Sequence, residues 1–286
     1  MINSFRKIEV ALVLPVFSSH TSFLKEINRN CIELAIAMPD VNWTVIIIND
    51  GSIVIPSQNE LSKQLFADIS YYYYHYENNR GKGYAVRFGL NKAADMDLFI
   101  YTDYDFPFGT DAVISTVNIL RQQKAEIVAA DRGANYLSYL PIPRRVITKI
   151  SRFINSKILK LNFTDTQAGL KGMTNRSLPV MLHTITNGFL FDAEFIRAAE
   201  QEHLQIQVLA VACAKDIELK NFSLSTIYTE LKNLISVLFK TRRRNATQSS
   251  SCGNGEILHS TEVWTNTFQV KAGQTHFIKK DFPSAI

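Results

Sequence analysis

Short apolar runs and helix-period segments alternate through the first 130 residues. "IEVALVLPVF" is almost continuously apolar and ends near Pro15, the pattern of a strand buried on both faces. "SFLKEINRNCIELAIAM" has apolar positions three and four apart, which predicts a helix with Thr21 or Ser22 at its N-cap. "WTVIIIND" predicts a second buried strand stopped by "DGS", and "ISYYYYHY" a third, rich in aromatic strand formers. "GYAVRFGLNKAADM" predicts a helix, "DLFIYTD" a strand, "TDAVISTVNILRQQ" a helix opened by a Thr110 cap, and "AEIVAAD" a further strand. This alternation implies an α/β fold, a mostly parallel sheet with helices on both faces. Such sheets bind ligands at the carboxyl ends of their strands. Residues 15–18, 50–52, Asp103, Asp105, Asp131 and Arg132 fall there.

The pattern changes after residue 140. In "PIPRRVITKISRFINSKILKLNF", Val146, Ile147, Ile150, Phe153, Ile154, Ile158 and Leu161 follow helical spacing. Arg144, Arg145, Lys149, Arg152, Lys157 and Lys160 fill other positions, with no acid among them. That face is either solvated or turned to an anionic partner, and the apolar stripe either packs inward or meets that partner. "FDAEFIRAAEQEH" predicts a helix and "IQVLAVAC" a strand. "LSTIYTELKNLISVLFKTRRR" is a second amphipathic stretch that ends in a basic run at Arg242, Arg243 and Arg244. From 245, "NATQSSSCGNG" has the composition of a linker, and "EVWTNTFQVKAGQTHFIKK" predicts a small hairpin turning at "AGQ". The expected organisation is one domain over 1–244, then a linker and tail over 245–286.

Composition narrows the possibilities. A chain of 286 residues with 46% hydrophobic and 20% charged residues packs a core and is not disordered. No apolar run approaches the ~20 residues needed to cross a bilayer, and "MINSFRKIEV" lacks a signal-peptide core. A cytoplasmic protein is expected. Cys31, Cys213 and Cys252 are odd in number and far apart, which suggests neither disulfides nor a cysteine metal site. The net charge of +5 invites an anionic partner. Nucleic acid is the weakest candidate, because the basic residues are not interleaved with stacking aromatics.

"YTDYDFPFG" carries the sharpest chemical signal. Asp103 and Asp105 directly follow a strand, and residues i and i+2 of a strand share a side. Taken alone, the pair reads equally as a solvated turn or as a cation site. The order of motifs along the chain separates these. "LVLPVF", "VIIINDGS", "ENNRGKGYAVRFGL", "LFIYTDYD", "AADRG", "DTQAGLKGM" and "GFLFDAEFI" together resemble the family 2 glycosyltransferases of GT-A fold. They are most similar to the polyprenyl-phosphate (dolichyl-phosphate) glucose and mannose synthases, over roughly residues 7–240.

The resemblance implies a role for each motif. Asp103 and Asp105 would be the D-x-D pair holding Mg²⁺ or Mn²⁺ against the diphosphate of a nucleotide-sugar donor. Asp105, Arg132 and Asp192 would be the catalytic set, with Arg132 on phosphate oxygens and Asp192 as general base or orienting group. Pro15 and Phe17 would wall the base, Asp50 would bind base or ribose, and Lys82 would lie near the phosphates. Arg144, Asp165, Gln167 and Lys171 would contact acceptor or sugar, with Gly169 allowing close approach. The implied activity is inverting transfer from a donor of UDP-glucose or GDP-mannose type to polyprenyl phosphate, by a peripheral protein on the cytosolic membrane face. A glycan hydroxyl acceptor, or a catalytically weakened nucleotide-sugar binder, are the alternatives. Two departures bear on this: Asn49 stands where relatives often have an acid, and "FPF" follows the D-x-D pair.

Overall fold

The structure, a computed structural model, describes residues 6–212 apart from 66–68, 94, 134, 164 and 189, together with 266–271 and 274–277. The chain opens with β1 (Ile8–Val16), α1 (Phe23–Ala37), β2 (Val41–Asp50), α2 (Gln58–Gln64), β3 (Ser70–Tyr76) and α3 (Lys82–Lys92). It continues with β4 (Leu98–Tyr101), α4 (Gly109–Arg121), β5 (Ile127–Asp131), a 3₁₀ turn (Asn135–Tyr139), and α5 (Ile142–Phe153) with a π-helical end (Ile154–Ile158). Then come β6 (Lys171–Thr174), α6 (Leu178–Leu182), α7 (Phe191–Gln201), β7 (Ile206–Ala210), β8 (Asn266–Lys271) and β9 (Gln274–Phe277).

The strands form a nine-stranded sheet in the order β7-β5-β6-β4-β1-β2-β3-β8-β9. β1 pairs in parallel with β2 and β4, β2 with β3, and β5 with β7, while β6 and β8 run against their neighbours. The expected mostly parallel α/β sheet is therefore present. The period-2 geometry of β1 divides its apolar run between two cores. Val10, Leu12, Leu14 and Val16 pack with α1 and α4, including Phe23, Ile27, Val113 and Val117. Ala11 and Val13 face the other way, towards Val86 and Leu90 of α3 and Phe191 and Phe195 of α7. Burial on both sides explains why the strand shows no polar alternation.

Two expected caps form differently. Ser22 precedes α1, but its hydroxyl meets His20 Nδ1 and makes no cap bond. Thr110 lies inside α4, which begins at Gly109, and its hydroxyl donates to Glu33 Oε2 at 3.2 Å. The hairpin in the tail joins the sheet: β8 pairs antiparallel with β3, and β9 with β8. The amphipathic stretch at 224–244 lies outside the described residues. Among those described, no helix is long and apolar enough to cross a membrane.

α5 is turned inside out. Ile142, Val146, Ile150 and Phe153 are 74%, 49%, 51% and 60% exposed, spaced to share one side of the helix. Among its polar residues, Ser151 and Arg152 face the protein: Ser151 is buried, and Arg152 donates to Gly133 O at 3.0 Å. Asn155, in the π-helical end, donates to Thr166 Oγ1 at 2.9 Å. Ile154 and Leu161 pack into the core, unlike the stripe before them.

Candidate active site

The carboxyl ends of β1, β2, β4 and β5 bring the chemical residues to one end of the sheet, and antiparallel β6 returns "DTQAG" to the same place. The β4–β6 ladder pairs Tyr101 with Lys171, and two residues further Gly169 falls opposite Asp103. A Cβ built on Gly169 would stand 2.2 Å from Asp103 Oδ2, so only glycine lets the backbone approach this closely.

Asp103 and Asp105 lie in the turn after β4, where the Phe106 N–H donates to Asp103 O at 3.0 Å. Phe106 closes this turn in the left-handed region (φ 46°), held by burial of its ring. Asp103 forms an ion pair with Lys82 from the start of α3. Asp105 is exposed, and partial loss of water together with the charge of Asp103 pushes its carboxyl above the ordinary range. A cation would relieve that repulsion, and oxygen-only donors suit Mg²⁺ or Mn²⁺. Among the described residues no cluster of three or more ligating side chains occurs. The remaining ligands of such a cation would come from the donor phosphates and water. Burial works against the charge of Lys82, but Asp103, Asp192 and Asp105 outweigh it and hold the ammonium above its ordinary range.

Asp50 is buried at the end of β2, and the protein itself occupies its carboxylate. Oδ1 accepts from Tyr76 Oη and the Arg80 N–H at 2.7 Å each. Oδ2 accepts from Gly81 N–H at 3.0 Å and Asn79 Nδ2 at 3.1 Å. Asp50 thus shapes the "NNRG" loop that delivers Lys82, in place of the open base-binding carboxylate expected for it. Gly81 makes the turn at φ 94°, against Asn187 O. Asn49 is also engaged, donating to Tyr73 Oη at 2.6 Å and accepting from the Ser52 N–H at 2.9 Å. Pro15 is buried in β1, whereas Phe17 is exposed beyond its end.

Arg132 and Asp165 form one unit. The Arg132 backbone N–H and Nε donate to Asp165 Oδ2 at 2.8 and 2.9 Å, and Nη2 donates to Oδ1 at 2.5 Å. Arg152 adds a contact to Oδ2 at 3.5 Å. Burial opposes ionisation of Asp165, but the bonds and charge of Arg132 prevail and hold its carboxyl below the ordinary range. The Arg132 guanidinium also lies 4.1 Å from the centre of the Tyr136 ring. Gln167 is half-buried in the same turn. Of Arg144 only the backbone, within α5, is described.

Lys171 differs most from expectation. It is 0% exposed, and its ammonium donates to Thr166 O and Ala168 O at 2.6 Å each while pairing with Asp192 Oδ1 at 2.9 Å. All three protons are used inside the protein, so direct contact with sugar or phosphate is corrected to a buried ion pair. Burial pushes this lysine below its ordinary range, against the opposing charge of Asp192. Asp192, in the first turn of α7, is buried and also accepts from Tyr101 Oη at 2.5 Å.

Sequence reasoning gave no site role to Tyr101, Tyr76 or Arg152, nor to Arg87, which with Glu194 of "FDAEF" fixes residues 184–187. Arg87, buried on α3, donates to Thr184 Oγ1 at 3.2 Å and Thr186 O at 2.8 Å. Glu194 accepts from the Ile185 N–H at 3.1 Å and the Thr186 N–H at 2.8 Å. The one available signal was a charged residue on an otherwise apolar helix face.

No curated protein sequence matches the chain. Its fold is similar to that of glucosyl-3-phosphoglycerate synthase from Mycobacterium tuberculosis. The complex of that enzyme with phosphoglyceric acid matches at 14% identity and a TM-score of 0.56, covering 82% of this chain and 79% of that one. The complex with Mn²⁺, uridine-diphosphate-glucose and phosphoglyceric acid matches at 13% identity and a TM-score of 0.54, with the same coverage. The complex with Mg²⁺ and uridine-diphosphate matches at 12% and 0.54, again covering 82% and 79%. Residues 12–179, more than half of the chain, match the model of glycosyl transferase family 2, and the chain belongs to that family.

Proposed function

We propose that the chain is an inverting glycosyltransferase that moves a sugar from a nucleoside-diphosphate sugar to an already ionised phosphate oxygen, and that the acceptor is a polyprenyl phosphate at the cytosolic membrane face. One observation carries this reading: the carboxylates on the acceptor side are engaged. A hydroxyl acceptor must give up a proton as its bond forms, which calls for a base. Asp192 holds Lys171 and the Tyr101 hydroxyl, both through Oδ1, Asp165 holds Arg132 through both oxygens, and Glu194 holds the backbone at 185–186. The oxygens named are already taken by donors of the protein itself. A phosphate monoester is ionised at neutral pH and attacks without help.

On the donor side, Asp103 and Asp105 would hold Mg²⁺ or Mn²⁺, which when bound neutralises charge developing on the leaving diphosphate. Lys82 supplies a second positive charge beside Asp103. The phosphate oxygen forms its bond to the anomeric carbon from the face opposite the leaving group. The bond from that carbon to the diphosphate oxygen breaks, and its electron pair leaves with the nucleoside diphosphate. One displacement inverts the configuration and needs no carboxylate nucleophile.

α5 supports the location. Its inner side reaches the acceptor-side motif through Arg152 and Asn155, while its outer side presents Ile142, Val146, Ile150 and Phe153 with exposed Lys149. Lys157 and Lys160 are exposed just beyond. An apolar stripe with basic residues suits an anionic lipid surface.

The test incubates the full chain with radiolabelled UDP-glucose or GDP-mannose. Undecaprenyl phosphate, dolichyl phosphate, phosphoglycerate or a glycan serves as acceptor, with and without Mn²⁺, before organic extraction. Metal-dependent label in the organic phase is expected. Label confined to phosphoglycerate or glycan would overturn the lipid acceptor. Donor binding without turnover on any acceptor would point to a weakened enzyme.

A further inference from the structure

Lysine is almost never fully buried unless it is paired. Lys171 stands at 0% exposure with three acceptors at its ammonium: Thr166 O, Ala168 O and Asp192 Oδ1. That Oδ1 also takes the Tyr101 hydroxyl, and the Tyr101 ring centre lies 5.8 Å from Lys171 Nζ. One cation thus joins the turn before β6, the last residue of β4 and the first turn of α7.

The sheet register shows where this leads. Tyr101 and Lys171 are cross-strand partners, so Gly169 comes to lie opposite Asp103. The Gly169 position is in van der Waals contact with the Asp103 carboxylate, and Lys82 Nζ would be 3.3 Å from a Cβ there. The wall behind Asp103 is therefore the backbone that Lys171 holds. Other ties reach this turn: Arg132 to Asp165 and Asn155 to Thr166 secure its far end, and the Ala130 N–H donates to Leu170 O at 3.1 Å on the strand side of Gly169. Lys171 secures Ala168, next to Gly169.

We propose that Lys171 is a positioning residue for the D-x-D pair: its buried ammonium fixes the 166–168 backbone, and through Gly169 that backbone sets the Asp103 carboxylate for the cation. Lys171 touches neither aspartate of the pair, nor metal or substrate. This rests on the reading of Asp103 and Asp105 as the cation site.

The test separates positioning from charge balance. Lys171→Met alone strands Asp192 as a buried, unpaired charge and is prone to unfold. The double variant Lys171→Met/Asp192→Asn removes both charges and is the informative one. Mn²⁺ is titrated into the full chain with UDP present and followed by electron paramagnetic resonance, beside thermal melting. Wild type and Asp103→Asn/Asp105→Asn serve as references. The double variant is expected to melt near wild type yet bind Mn²⁺ roughly tenfold more weakly, as removal of outer-shell support does at other metal sites. A folded double variant with wild-type Mn²⁺ affinity overturns the proposal, since the pair then only balances charge. So does a double variant that cannot fold, since the pair is then a folding requirement. If wild type itself takes up no Mn²⁺, it is the cation-site reading that falls, and this proposal falls with it.

Discussion

Gly169 lies against Asp103 so closely that a single methyl group on its Cα would stand 2.2 Å from Oδ2. Gly169→Ala therefore forces the carboxylate or the backbone of the turn to move. The fold should survive, because the clash is with one partly exposed side chain. kcat/KM should fall at least tenfold, about 1.4 kcal/mol of transition-state stabilisation. Steady-state kinetics beside a melting curve checks this, and unchanged kinetics would free Asp103 from dependence on the turn.

Asp105 illustrates a site that works against its own fold. Its carboxyl is pushed above the ordinary range by partial desolvation and by Asp103. Ionising it near neutral pH therefore costs the folded state, and the cost is relieved as pH falls through the raised value. Asp105→Asn should keep or slightly raise the melting temperature at pH 7 without metal, yet abolish turnover. Near wild-type turnover without added metal would remove Asp105 from the site.

Asp165 gives the opposite sign. Arg132 holds its carboxyl below the ordinary range, so the pair stabilises the fold above the unfolded-state value and loses that contribution as pH falls through the folded one. Arg132→Ala should cost about 3 kcal/mol at pH 7, since Asp165 is 2% exposed and keeps only the backbone N–H of residue 132 and the longer contact to Arg152. The deficit should shrink below about pH 4. Arg132→Lys, which cannot reproduce the bidentate geometry, should recover little. Melting temperature against pH for the three proteins decides it; parallel curves would deny the pair its role.

The outer face of α5 predicts membrane partition. Wild type should float with anionic vesicles loaded with polyprenyl phosphate, and salt should weaken but not abolish this, because apolar burial is not screened. Ile150→Glu/Phe153→Glu should abolish flotation with little change in melting, both residues being more than half exposed. Charge reversal at Lys149 and Lys157 should act mainly at low salt. Wild type remaining in the soluble fraction at low salt would favour a soluble phosphorylated acceptor.

The strands were legible because burial on both faces leaves an apolar run that little else explains, as in β1 and β2. The D-x-D pair and the "DTQAG" turn were legible as motifs, but not their contact. That contact depends on the register of β6, whose four residues "KGMT" carry no strand pattern. Lys171 was misread for the same reason: its partner Asp192 lies on another element, and an isolated lysine in sequence reads as exposed. Asp50 shows the same limit, since its hydrogen-bond donors arrive from β3 and the loop after it. In α5 the periodicity was plain, but which side meets the protein depends on tertiary partners such as Asp165 and Thr166.

The hairpin β8–β9 has a practical consequence for anyone preparing a shortened protein. Cutting at 244, where the apolar pattern ends, leaves Tyr71–His75 of β3 without the partners that 266–270 supply. That bared margin, "YYYYH", has no proline and no formal charge at neutral pH, the kind of edge on which strands from other molecules assemble. During synthesis β3 emerges about two hundred residues before β8, and is open to the same hazard until the hairpin arrives. Expression boundaries should therefore run past Phe277, and insoluble product from a shorter chain would trace to the uncovered tyrosines while the catalytic residues remained intact.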